Sequence, residues 1–199
     1  MQFENDHLYH VYNQGNNRQK IFFDRANYLF FIEKLRTYVL PYADIYAWCL
    51  MPNHFHLMIY VKSTDSESEG FTLSETLTRK RTLNESIGIM LRSYTRAINK
   101  SNNTSGSLFR KETKAECLDC PKGLTPSFYT KTGATQINLN DPEKNYPQIC
   151  FNYIHANPTK AGLVKNDWDW EYSSAADYVG KRNGTLIDKE QALKKIGIS

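Results

Sequence analysis

The stretch LMPNHFHLMIYV, residues 50–61, sets a strongly apolar run behind a short turn and spends two of the chain's five histidines on positions 54 and 56. Met-Pro-Asn reads as the turn, since proline presets one dihedral and asparagine tolerates unusual ones. ADIYAWCL, residues 43–50, reads as a strand ahead of it, so the two runs predict a hairpin. Alternate side chains of a strand share a face. His54 and His56 therefore point the same way, and Phe55, Leu57, Ile59 and Val61 point the other. The apolar parity is expected to meet a helix-packed core, leaving the histidines on an open face. Neutral imidazole is the commonest protein metal ligand. On pattern alone a pair of surface histidines and a pair of metal ligands are equally open readings, and two histidines do not complete a site.

Working outward, HLYHVYNQG at 7–15 alternates and ends in a glycine turn, which predicts a strand. DRANYLFFIEKLRTYVLPY follows as a helix. Asp24 caps it, Tyr28, Phe31, Leu35 and Tyr38 or Val39 recur at helical spacing, and Pro41 ends it. NESIGIMLRSYTRAINK at 84–100 is a second helix with an apolar stripe of Ile87, Met90, Leu91, Tyr94 and Ile98. Arg92, Arg96 and Lys100 stand four apart on another of its faces. GSLFRKETKAECL reads as a fourth strand entered through Gly106. YPQICFNYIHAN is a helix with Pro147 in its first turn and Pro158 at its end. WDWEYSSAADYVG is aromatic and loop-like, and DKEQALKKIG carries a last short helix.

The order strand, helix, strand, strand, helix, strand is the βαββαβ pattern of the ferredoxin-like fold. The expected class is α+β: an antiparallel sheet with helices on one face and a C-terminal helical extension. A single domain spans 1–199, with excursions near 62–82 and 115–146 where no period is visible.

Hydrophobic residues make up 40% of the 199, enough for a sizeable core, and the net charge of +4 permits an anionic partner without indicating one. No secretory signal and no long apolar span are visible, so no membrane association and a cytoplasmic, reduced protein are expected. Cys117 and Cys120 form CLDC. A zinc site needs four ligands and no second pair stands at matching spacing, so the cysteines read as incidental.

MPNHFHLMI resembles the His-hydrophobic-His motif of the HUH endonucleases. More narrowly it is similar to the single-tyrosine transposases of the insertion-sequence type, including the REP-associated tyrosine transposases. In chain order, YHVYNQGNNRQKIFFD, SYTRAINKSNNTSGSLFRKETK, YIHANPTKAGLV and WEYSSAADYVG resemble further segments of that family. HxH alone is a weak signal; the series in order is a specific one. The resemblance implies a metal-dependent enzyme that cleaves and rejoins single-stranded DNA at or near a hairpin. Tyr153 is then the nucleophile, leaving a 5′-phosphotyrosine link and a free 3′-hydroxyl. Relatives place a polar amide one helical turn after the tyrosine. Asn157 stands there, and with His54 and His56 it is the expected ligand set for Mg²⁺ or Mn²⁺. His155 lies on another part of the helix and is not counted. Tyr94 is the rival nucleophile, read as a packing residue. Asn16, Asn17 and Arg18 beside Gly15, together with Arg92, Arg96, Lys100, Arg110 and Lys111, are the expected DNA contacts. Gln14 departs from the arginine frequent in the family. Related enzymes include homodimers that exchange the tyrosine helix. The rival class is a catalytically silent or domesticated single-stranded nucleic-acid-binding protein with an RRM-like sheet.

Overall fold

The structure is a computed structural model that describes residues 1–65, 71–72, 78–120, 127–129, 135–137 and 146–198. Four strands form the central sheet: β1 (Leu8–Gln14), β2 (Ala43–Met51), β3 (His54–Val61) and β4 (Lys114–Cys117). Their order is β2-β3-β1-β4, every pair antiparallel. This is the ferredoxin-like arrangement, and the α+β expectation holds. The hairpin turn at Pro52 and Asn53 also anchors the exit of β1. Pro52 O accepts from Ile21 N at 2.8 Å, and Asn53 O accepts from Gly15 N at 2.8 Å. A Cβ on Gly15 would stand 2.2 Å from Gln19 O, so only glycine lets the chain turn back this tightly.

The apolar parity of β3 meets helices as expected. α1 (Arg25–Tyr38) begins where the Asp24 side chain accepts from Asn27 N at 2.9 Å. α2 (Leu83–Asn102) begins with a reciprocal capping box between Thr82 and Glu85. Tyr28, Phe31 and Leu35 of α1 and Ile87, Met90, Leu91, Tyr94 and Ile98 of α2 pack on Phe55, Leu57, Ile59 and Val61. Tyr94 is fully buried and donates its hydroxyl to Ile21 O at 2.7 Å, which makes it a packing residue.

The second face is not open. α3 (Tyr146–His155) and α6 (Lys189–Ile196) cover it, with Cys150, Ile154, Ala192 and Ile196 packed on Leu8, Tyr46, Cys49, Met51 and Met58. The helical C-terminal region thus lies over the histidine parity. That parity also carries Met58 and, from β2, Cys49 and Met51, which alternation along β3 alone does not reveal.

Two local expectations change. The fourth strand is confined to Lys114–Cys117, and only Phe109 makes an isolated bridge, to Gly15. Between them Asn13 Nδ2 donates to Arg110 O at 3.2 Å and to Thr113 Oγ1 at 2.9 Å. The aromatic tail is more regular than its composition suggests. Leu50 N donates to Tyr172 O at 2.8 Å and Ser174 N donates to Trp48 O at 2.9 Å, so the tail runs along the free edge of β2. It then closes into the single turn α5 (Ala175–Tyr178). Of the two expected excursions, 66–70, 73–77, 121–126, 130–134 and 138–145 lie outside the described residues. Phe71–Thr72 pairs with Thr78–Arg79, and Ser127–Tyr129 with Thr135–Ile137. No described helix is long and apolar enough to cross a membrane.

Candidate active site

The site forms where α3 packs across the face of β2 and β3, with β1 alongside. His56 is 5% exposed and His54 is partly buried. Their ring centroids are 5.0 Å apart. Tyr153 reaches down from α3 to meet His56 edge-on, with centroids 5.3 Å apart. The backbone register of the sheet brings a third histidine to this place. His10 lies on β1 opposite Met58, one diagonal step from His56, and is 2% exposed. Its Nε2 is 2.9 Å from His56 Nδ1, and its ring is 6.0 Å from that of Tyr153. Sequence reading passed over His10 as one residue of an alternating strand. Its parity with Tyr12, which pairs with His56, is the signal that points to it.

Asn157 is brought to the site by a break in the helix. α3 ends at His155 and the short α4 (Asn157–Lys160) starts after Ala156, because Pro158 has no N–H to continue the ladder. The Asn157 side chain takes up the slack: Nδ2 donates to Tyr153 O at 2.8 Å. The same side chain hydrogen-bonds His54. His54, His56, Tyr153 and Asn157 are thus neighbours. Lys160 Nζ lies 5.4 Å from the Tyr153 ring centroid.

Burial sets the electrostatics. Desolvation holds His10 at about 3 and His54 at about 4, the Asn157 hydrogen bond opposing the latter shift. His56 is pushed well below 6.5 by desolvation and then by its two histidine neighbours. All three rings are neutral near pH 7, the form that ligates metals. The hydrogen bonds sort the nitrogens. His54 Nδ1 is 2.6 Å from Asn53 Oδ1 and so carries the proton, leaving Nε2 basic. His56 Nδ1 is engaged by His10, while His56 Nε2 is buried without a hydrogen-bond partner. An orphaned buried ring nitrogen beside an amide and a second imidazole fits a divalent cation held by His54, His56 and Asn157. Such an arrangement, with the other ring nitrogen tied to a neighbour, is usual for metal-bound histidine.

His155 takes no part. Its Nε2 is 2.7 Å from Ser174 Oγ, and Ser174 Oγ accepts from Trp48 N at 2.9 Å, locking α3 to the C-terminal tail. Of the expected DNA contacts, Asn16–Arg18 form a 3-10 turn directly after β1. Arg110 N donates to Gln14 O at 2.9 Å, which puts Arg110 and Lys111 beside that turn. Gln14 pairs with His54, so this basic corner borders the site. Arg92, Arg96 and Lys100 are exposed on α2, whose buried stripe packs on the opposite face of the sheet from the histidines. The structure does not bring them together with Tyr153.

No family model matches the sequence. No curated protein sequence matches it closely. Among solved structures the chain is similar to a REP-associated tyrosine transposase bound to a REP hairpin. That match has a TM-score of 0.55 and 15% identity, covering 94% of this chain and 92% of the other. At this identity the likeness is one of fold, and it extends over nearly the whole of both chains.

Proposed function

We propose that this protein is a metal-dependent single-stranded DNA endonuclease and strand transferase of the HUH type, with Tyr153 as its nucleophile. The observation that carries the reading is the placing of Tyr153 against His56 by a helix whose next turn delivers Asn157 to His54. The reading is supported by the family resemblance of these same residues and by a fold shared with a transposase that binds a hairpin. His54, His56 and Asn157 hold the cation, Mg²⁺ or Mn²⁺. When bound, the cation supplies Lewis-acid polarisation of the scissile phosphate. The Tyr153 phenol gives up its proton to solvent and its oxygen attacks the phosphorus, the bond to the 3′-oxygen breaks and that oxygen takes a proton from solvent, and the 5′-phosphotyrosine conserves the bond for rejoining. His10 orients His56 through its ring nitrogen.

The substrate is single-stranded DNA that forms a hairpin. Asn16, Asn17, Arg18, Arg110 and Lys111 line its approach, and Arg92, Arg96 and Lys100 offer further phosphate contacts from behind the sheet. Loss of Arg110 or Lys111 is expected to weaken binding to all sequences and lower the salt slope by about one. A silent binder of the RRM kind stacks bases on an exposed sheet. Here α3 and α6 occupy that surface, which speaks against it.

The test uses 3′-labelled single-stranded oligonucleotides tiled from both flanks of the gene, incubated with protein and Mn²⁺ or Mg²⁺. A denaturing gel should show a metal-dependent covalent protein–DNA band that Tyr153→Phe abolishes while binding persists. A band that survives Tyr153→Phe refutes the assignment. Tight binding with no band under any metal supports the silent binder instead.

A further inference from the structure

The end of β4 with the residues that follow it, and the residue just before β1, assemble a second group of metal-ligating side chains, remote from the histidine pair. Cys117 is buried, and Cys120, Asp119 and His7 surround it at the sheet edge. Far from being incidental, Cys117 and Cys120 are joined by a disulfide, with their Cα atoms 5.7 Å apart. Asp119 is the hub. Its Oδ1 accepts from Leu8 N at 2.9 Å, lies 3.1 Å from His7 Nδ1 and receives the Cys117 Sγ contact at 3.7 Å. One ligand atom from each of the four residues lies within 4.8 Å of the others.

We propose that the reduced protein binds Zn²⁺ at this place through His7 Nδ1, Cys117 Sγ, Asp119 carboxylate oxygen and Cys120 Sγ. The chemistry selects the metal. Two thiolates and an imidazole suit zinc, whereas thiolate sulfur is a poor ligand for Mg²⁺ and Mn²⁺. The spacing fits as well. Around a tetrahedral zinc, nitrogen and oxygen ligands stand about 3.4 Å apart, and sulfur stands about 3.6 Å from oxygen. The observed 3.1 and 3.7 Å require only small shifts. The two sulfurs must part to about 3.8 Å, so the disulfide and the zinc complex are alternative states of one site. Sequence spacing hides the site because its fourth ligand is supplied by His7, brought alongside when Leu118 N donates to Leu8 O at 2.8 Å.

The site lies at the opposite end of β1 from His54, about 20 Å away at the rise of a strand. It ties Cys120, where the chain leaves the sheet, to the start of β1. Its role is that of a structural clasp rather than a second reaction centre.

Formation of the site begins with reduction. A water-soluble phosphine takes the oxygen of water and becomes the phosphine oxide, while the disulfide accepts two electrons and the two protons of that water. Zn²⁺ then replaces the two thiol protons, which pass to the buffer.

The test is a titration of the phosphine-reduced full chain with Co²⁺ under argon. A thiolate-to-cobalt charge-transfer band with tetrahedral d–d absorption is expected, and one equivalent of Zn²⁺ should bleach it. The band should persist in His54→Ala, because the histidine pair has no thiolate. It should vanish in Cys120→Ser, whose side chain is only partly buried and whose fold is checked by circular dichroism. His7→Ala should weaken zinc binding by more than the about 10–100-fold that follows loss of an outer-shell partner. Absence of the band from reduced wild-type protein, or its survival in the Cys117→Ser, Cys120→Ser double variant, overturns the proposal.

Discussion

Stability should fall steeply on mild acidification, and the buried histidines set by how much. His10 and His155 are 2% and 6% exposed. Burial holds each near about 3 instead of 6.5, with the Asp177 carboxylate opposing the shift at His155. As pH falls through 6.5, the unfolded chain takes up protons on these rings and the native protein does not. The contribution is therefore complete above about 6.5 and is lost progressively as pH falls toward about 3. Between about pH 7.5 and 5.5 each ring costs about 1.4 kcal/mol, or about 3 kcal/mol for the two. His56 shifts the same way and adds to the loss. Against a total stability of about 5–15 kcal/mol this is a large fraction. The assay is urea denaturation across that range, with chelator present so that metal binding does not contribute. His155→Gln removes one titrating ring from the native lock and should reduce the loss by about 1.4 kcal/mol. A free energy of unfolding that stays flat from neutral pH to about 5.5 would refute the reasoning, because it requires these rings to be protonated or solvated in the fold.

Tyr94→Phe should cost about 1–2 kcal/mol in denaturation, since Ile21 O loses a buried donor, and should leave the DNA adduct intact. Arg182→Ala strips two bonds of 2.8 and 2.7 Å from Asp177, which is 5% exposed, and should cost about 3 kcal/mol, read as a lowered Tm. An unchanged Tm would mean that Gly184 N alone satisfies the carboxylate. Gly15→Ala drives a Cβ into Gln19 O and must move the turn that carries Asn16–Arg18. Oligonucleotide affinity should drop together with stability, and an unaltered Kd would separate that turn from the DNA.

Much of this protein is legible from one dimension. Alternation along β3 separates Phe55, Leu57, Ile59 and Val61 from His54 and His56. Helical spacing marks the stripe of α2, Asp24 announces a helix start, and the order of elements implies the sheet topology. These are local signals, and the physics behind them acts within a few residues. The ordered motifs also marked Tyr153 and Asn157 as residues to watch. Contacts between distant segments are a different matter. That α3 and α6 would cover the histidine face depends on apolar residues contributed by three strands at once. His10 joins His56 only through the register of β1 on β3. Cys117 and Cys120 acquire His7 only because the end of β4 lies beside the start of β1. Asn157 holds both His54 and the Tyr153 carbonyl because Pro158 breaks the helix at Ala156. Local sequence determined which elements form and which way their side chains alternate. Tertiary structure alone decided which polar atoms are sealed from water beside one another, because burial and ligand geometry belong to the packed surfaces and not to any one segment.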